Sequence, residues 1–284
     1  RSGIKAVCRE ESVRLLNLEE AGSEISTFEG IPYSLARPAL NAGLILNLPK
    51  FKTHSLTLLT NAVKNLYGLL PGYQKTTMHQ ALARREQFGR FLAHIYRKIM
   101  PGLTISDAIV GMDGEGPSNG DPVAVGLLAA SADGAALDAA LCRLVGFDCR
   151  QVPYLLELYS RPGGAPAFPE IRWAGDSPAA IAAPRFRPPR TAGLTSMFPP
   201  AAVRVLAPLV WIRPQFGRNC ALCGLCVKSC PTSALAIKAG RLVPRLAASR
   251  CIGCCCCHEV CPMNAIEMRG SPLLRLVTRG RLGV

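Results

Sequence analysis

The chain has 284 residues, 49% hydrophobic and 18% charged, with 33 basic against 19 acidic side chains, a net charge of +14 and 13 cysteines. That apolar share excludes a disordered chain, and the length suits one α/β domain plus a small module rather than a single small core. No run supplies the roughly 20 apolar residues of a transmembrane helix; the best candidate, residues 193–211, is broken by Pro199, Pro200, Arg204 and Pro208.

The chain opens at Arg1 without an initiator methionine or a signal-like apolar run, and reads there like the middle of a domain, so a truncated start is expected. Residues 42–48 form a short apolar run stopped by Pro49, the pattern of a buried parallel strand. Helical periodicity follows over 56–66 and 80–99; in the second, Leu82, Phe88, Phe91, Leu92, Ile95 and Ile99 recur mostly at three- and four-residue steps. Strands are expected at 103–110 and 122–131, and helices near 135–145 and 151–160. Alternating strands and helices predict an α/β domain with a parallel or mixed sheet and flanking helices over residues 1–161. Prolines crowd the stretch from Pro162 to Pro200, which reads as part of a linker (162–214) with one short strand at 171–175. A small α+β module is expected over 215–284.

The charge is unevenly placed. Residues 1–180 carry 18 basic and 17 acidic side chains, whereas residues 181–284 carry 15 and 2, together with ten of the cysteines. Those cysteines repeat at a constant offset: Cys220, Cys223, Cys226, Cys230 and Pro231 map onto Cys251, Cys254, Cys257, Cys261 and Pro262. Each unit is C-x2-C-x2-C-x3-C-P, the spacing of the two-cluster bacterial ferredoxins. Zinc sites usually present paired cysteines, and disulfides would have to join cysteines three apart in tight loops, so two 4Fe–4S clusters are the expected cofactors. Resemblance to the ferredoxins implies crossed ligation. Cys220, Cys223, Cys226 and Cys261 would hold one cluster, and Cys251, Cys254, Cys257 and Cys230 the other. Cys255 and Cys256 are not needed by this spacing and read as packing beside a cluster, and His258 reads as its neighbour rather than its ligand.

In the α/β part, Lys50, Lys52 and His54 follow the predicted first strand, where α/β sheets place ligands. Lys64, Lys75 and His79 come soon after them in the chain, and the six together are candidates to grip a small anionic ligand, a carboxylate or phosphate. An exposed loop of solvated lysines is the competing reading. Asp107, Asp113, Glu115 and Asp121 form an acidic cluster among glycines that reads first as turn chemistry and second as a hard-metal or general-base site. Asp138 reads as a cap or surface residue, and Cys142 as core. No Walker loop, dinucleotide fingerprint, nucleophile elbow or H-E-x-x-H occurs.

The stretches P-K-F-K-T-H-S-L-T and K-N-L-Y-G-L-L-P-G, with Asp107 to Gly114 and Gly116-Pro117, resemble the family known as domain of unknown function 362, often fused to a ferredoxin-type module. Residues 135–147 and the C-I-G-C-C-C-C-H-E-V-C-P run fit the same family. The resemblance implies an architecture and names no reaction.

Three functions follow as expectations. One is a redox enzyme or redox subunit, an oxidoreductase, whose clusters pass electrons to a ligand in the α/β domain. Another is a non-catalytic electron carrier or assembly subunit whose α/β domain docks a partner. A nucleic-acid binder ranks last, because the basic tail has little aromatic interleaving and no base-reading motif. Each oxidised cluster with four thiolates carries a charge of about −2, so two lower the net charge to about +10. Arg218, Lys228 and Arg250 adjoin the ligands as counter-charges. Arg269, Arg275, Arg279 and Arg281 are free to steer an acidic redox partner. Oxygen-sensitive clusters and free thiols point to a reducing compartment, the cytoplasm.

Overall fold

A computed structural model describes residues 3–54, 56–72, 74–82, 84–117, 119–161, 165–189, 211–230, 232–251, 253, 256–263 and 265–272. The chain begins with helix α1 (Ile4–Glu10) and an antiparallel hairpin, β1 (Ser23–Phe28) and β2 (Ile31–Ala36), followed by α2 (Arg37–Leu40). The main sheet comprises β3 (Leu46–Asn47), β4 (Lys50–His54), β5 (Leu58–Thr60), β6 (Leu103–Glu115) and β7 (Asn119–Ser131). β3 and β4 run parallel to β6 along the same edge, with Asn47 opposite Thr104 and Lys50 opposite Asp107. β5 is antiparallel to β4, and β7 to β6, so the sheet is mixed. Helices α3 (Ala62–Asn65), α4 (Gln74–Ala81), α5 (Arg85–Ile99), α6 (Gly134–Leu144) and α7 (Pro153–Tyr159) complete the α/β architecture.

Helix α5 follows from its pattern. Phe88, Phe91, Leu92 and Ile95 recur at three- and four-residue steps and are fully buried. Glu86 in the first turn and Arg97 and Lys98 in the last suit the helix dipole. Each such apolar side chain contributes about 1.5–3 kcal/mol when taken from water. α6 starts at Asp133, whose carboxylate accepts the N–H groups of Ala135 and Ala136. The core lies between these helices and one sheet face carrying Phe51, Thr53, Thr104, Ser106 and Ala108. The opposite face leaves apolar side chains in water: Leu46 is 57% exposed, Ile109 50% and Leu128 61%.

Several predicted elements differ from those observed. The run 42–48 contains only the two-residue β3, where Asn47 is buried while Leu44, Leu46 and Leu48 are exposed, because the described residues cover only one face of the sheet. The helix expected over 56–66 is displaced by β5, which returns along β4, and helix starts only at Ala62. The helix expected over 80–99 is divided into α4 and α5. Strands β6 and β7 are 13 residues each and pair along their whole length, which extends both predictions. Residues 171–175 adopt no strand. Part of the proline-rich stretch lies on the body: Phe168, Ile171 and Ala183 pack against the core, and Phe186 is inside it.

The cysteine module is a small α+β unit. β8 (Ile212–Phe216) pairs antiparallel with β11 (Ile266–Gly270), and β9 (Leu235–Ala236) with β10 (Arg245–Leu246). Short helices α8 (Leu225–Lys228) and α9 (Cys256–Glu259) are related by the same offset as the cysteines. Each strand pair joins the first strand of one repeat to the last strand of the other, so the halves are interlocked. Among the described residues no helix is long and apolar enough to cross a membrane.

Candidate functional site

In the first repeat Cys220 and Cys223 precede α8, which carries Cys226, and Cys230 follows it; in the second, Cys251 precedes α9, which carries Cys257, and Cys261 follows it. Leu222 and Gly253, equivalent by the repeat, both adopt left-handed backbone conformations (φ 50° and 67°). The result is two cavities. One is lined by Cys220, Cys223, Cys226 and, from the second repeat, Cys261. The other is lined by Cys251, Cys257 and, from the first repeat, Cys230. Cys254 and Cys255 lie outside the described residues. Cys256 opens α9. Among the described residues no cysteine forms a disulfide.

Backbone donors already point at two of the sulfurs: Ala234 N–H donates to Cys230 Sγ at 3.1 Å, and Ala265 N–H to Cys261 Sγ at 3.2 Å. Burial, with Cys220 and Cys223 adding to it, pushes the Cys226 thiol up, so a cation entering there would displace protons. Among the described residues no three Cys, His, Asp or Glu side chains form a group able to hold a single metal ion. A zinc ion needs its sulfurs about 2.3 Å away, whereas a cubane of four irons and four sulfides keeps its thiolates apart around a larger body. Cysteines spaced around a cavity suit the second donor arrangement. His258 directs Nδ1 to the carbonyl of Ile266 at 2.5 Å, so that nitrogen is engaged by the backbone.

The six lysine and histidine candidates of the α/β body do not converge as a set. Lys50, Lys52 and His54 sit within β4 rather than beyond a strand. Lys50 pairs with Asp107 at 2.8 Å on the exposed face, and Lys52 Nζ donates to the carbonyl of Pro117 at 3.1 Å. His54, Lys64 and His79 do come together, around Tyr67 and Phe88. The imidazole of His79 stacks on Phe88 with centroids 4.4 Å apart, and it lies parallel to His54 at 6.4 Å. Lys64 Nζ stands 5.7 Å from the Tyr67 ring centroid and 5.9 Å from that of Phe88, the range of cation–π attraction. Lys75 is half-buried on α4, and its backbone carbonyl accepts the Tyr67 hydroxyl.

Burial holds His54 well below the ordinary imidazole range, helped by the charges of Lys64, His79 and Lys52. Burial and then Lys64 bring His79 down to about 3. Both rings are therefore neutral near pH 7. His54 Nδ1 accepts the Leu56 N–H at 3.0 Å, which leaves its proton on Nε2. Neutral imidazoles beside lysine cations can take an anion and hold or move a proton at its edge.

The described side chains of the acidic cluster are engaged in ion pairs. Arg187 donates from its backbone N–H and its guanidinium to the buried Asp113, at 2.6–3.0 Å, and reaches Asp121 at 2.6 Å. Asp107 is taken by Lys50. Glu115 lies on β6, and its side chain is outside those described.

Asp138 is fully buried and caps another element: its carboxylate accepts the N–H groups of Ala62 (2.8 Å) and Val63 (3.1 Å) at the start of α3. The Tyr154 hydroxyl and Asn61 amide lie near that carboxylate without hydrogen-bond geometry. Burial raises Asp138 to about 7, against the opposing effect of its backbone donors. The sequence signal for it was a lone carboxylate among small apolar residues (G-A-A-L-D-A-A-L-C).

An α/β body joined to an interlocked cysteine repeat defines the class of protein. The chain matches the family Domain of unknown function (DUF362) over residues 1–143, and it belongs to that family. The thylakoid-associated protein sll1697 of Synechocystis is 39% identical over 120 residues, which is 42% of this chain and 37% of that relative. The chain thus spans well under half the length of the curated relative it matches. No solved structure matches.

Proposed function

We propose that this is an iron–sulfur electron-transfer protein, a redox enzyme or redox subunit in which two 4Fe–4S clusters serve a small anionic ligand held by the α/β body. The observation that carries the reading is the pair of cavities related by the internal repeat, each lined by cysteines from both halves. Cys220, Cys223, Cys226 and Cys261 would hold one cluster, and Cys251, Cys254, Cys257 and Cys230 the other, as in the two-cluster ferredoxins. When bound, such clusters supply one-electron transfer at potentials from about −700 to +450 mV. The chain's own contributions are the N–H donors on Cys230 and Cys261 and the neutral His54 and His79 beside Lys64, which attract an anion and place a proton against it.

The described surface of the module carries Arg218, Lys228, Lys238, Arg241, Arg245, Arg250 and Arg269, suited to an acidic redox partner, while Arg275, Arg279 and Arg281 lie outside the described residues. Oxygen-sensitive clusters suit a reducing compartment, the cytoplasm, and the relative's thylakoid association is compatible with docking to a partner at a membrane surface. A second reading, an electron carrier or assembly subunit without a reaction of its own, is favoured by the uncovered apolar sheet face of Leu46, Ile109 and Leu128, where a partner would seat.

Anaerobic reconstitution tests the central claim. About eight irons per chain are expected, and Cys261→Ser should remove a ligand from the cluster of the other repeat, lowering the count. Stoichiometric zinc without iron would overturn it. Isothermal titration with phosphate or a dicarboxylate, on the wild type and on Lys64→Ala, separates the two readings: anion binding lost in the variant supports a ligand site, and no binding to either protein supports the carrier.

A further inference from the structure

Because the cysteine module repeats, any difference between its halves is a comparison inside one molecule. Cys230 and Cys261 are equivalent, each crossing to the cavity of the opposite repeat, and each accepts a backbone N–H from the residue four positions on, at 3.1 and 3.2 Å. Two residues beyond each cysteine the equivalence ends. Thr232 follows Cys230, and Met263 follows Cys261. The Thr232 hydroxyl lies 3.7 Å from Cys230 Sγ, and Thr232 lines that cavity, as Met263 lines the other. An iron-bound thiolate has no proton to give, so the hydroxyl is the donor. A methionine thioether has no proton to offer in return.

We infer that Thr232 makes the two metal centres inequivalent by raising the reduction potential of the cluster that takes Cys230; this rests on the two-cluster reading above. Taking up one electron adds negative charge to the cluster and its thiolates, and a donor on a ligand sulfur stabilises the reduced form more than the oxidised one. Sulfur hydrogen bonding and solvent exposure both tune such potentials. The exposed Cys223 belongs to the other cavity, so its effect does not act on the cluster beside Thr232. An electron entering the module is therefore held more firmly at the Cys230 cluster than it would be without the hydroxyl, which marks that cluster as the acceptor Thr232 tunes.

The test is a dithionite titration of the reconstituted full chain, followed by electron paramagnetic resonance, with iron counted on every sample. Thr232→Val removes the hydroxyl at nearly constant shape. One cluster should become about three- to tenfold harder to reduce, tenfold being about 59 mV for a one-electron couple, while the other stays in place and Thr232→Ser restores the shift. Met263→Thr should move the second cluster in the opposite direction. With the full iron count retained, unchanged potentials in both Thr232→Val and Met263→Thr overturn the inference and leave the cluster reading standing. A wild-type chain that binds no iron overturns both.

Discussion

The imidazole of His79, stacked on Phe88 within reach of the Lys64 charge, is neutral at neutral pH and keeps a single N–H, and its titration is written into the stability of the fold. An unfolded histidine titrates near 6.5 and the folded one near 3, so the unfolded chain binds more protons between those values. The stabilisation is complete above pH 6.5 and is lost as pH falls toward 3. His79→Phe keeps an aromatic ring against Phe88 and removes the titration, so urea midpoints measured from pH 3 to 6.5 should vary less than in the wild type; an unchanged profile would show that the ring is not held neutral. Asp138 acts with the opposite sign. Its folded value near 7 exceeds the ordinary 3.8, so the folded chain binds more protons in that window and stability falls as pH rises from about 4 to 7. Asp138→Asn should remove this slope, and should cost about 1–3 kcal/mol because its NH2 replaces one of the two oxygens that accept from Ala62 and Val63 and faces an N–H donor. The two slopes oppose each other, so each variant should expose what the wild-type profile hides. Asp138 was legible only as a polar residue in a helix, since its partners lie 75 and 76 positions away.

Among the elements, residues 165–189 show how composition can mislead. Prolines forbid helix and ladder but leave side chains free to pack, and Phe186 enters the core 5.2 Å from Phe51 while Arg187 grips Asp113. Gly116 allows the β6–β7 hairpin to close over β4: an added Cβ would meet the Thr53 carbonyl oxygen at 2.0 Å. Arg187→Ala takes both guanidinium donors from a buried carboxylate and should cost about 3 kcal/mol in thermal or chemical denaturation. Phe186→Ala should cost about 3–5 kcal/mol by opening the core. Losses within about 0.5 kcal/mol for both, the scatter of an ordinary surface substitution, would mean that this segment does not stabilise the body. Helix α5 was readable from periodicity because it buries one stripe of its own sequence, whereas α6 is buried on most sides. β3 falls inside the run read as a parallel strand, whereas β5 was not read, because so short a strand has no period.

For the whole molecule, the charge asymmetry between an almost neutral body and a basic module sets how partners approach. Reduction of the reconstituted protein by an acidic ferredoxin-sized donor should slow markedly as ionic strength rises from about 10 to 500 mM, followed by stopped-flow absorbance, because screening shortens the reach of the module's field from about 30 Å to a few Å. A rate independent of salt would remove the basic surface from partner recognition. The repeat, the ligand spacing, the basic module and the amphipathic helices could all be read from the bare chain, since each is a relation between residues close along it. Folding alone established that Lys50 leaves the lysine group for Asp107, that His54 and His79 lie parallel beside Lys64, and that Arg187 neutralises the acidic turn. Those pairings join residues 25 to 74 positions apart, and they depend on how the sheet and helices pack, which no local pattern encodes.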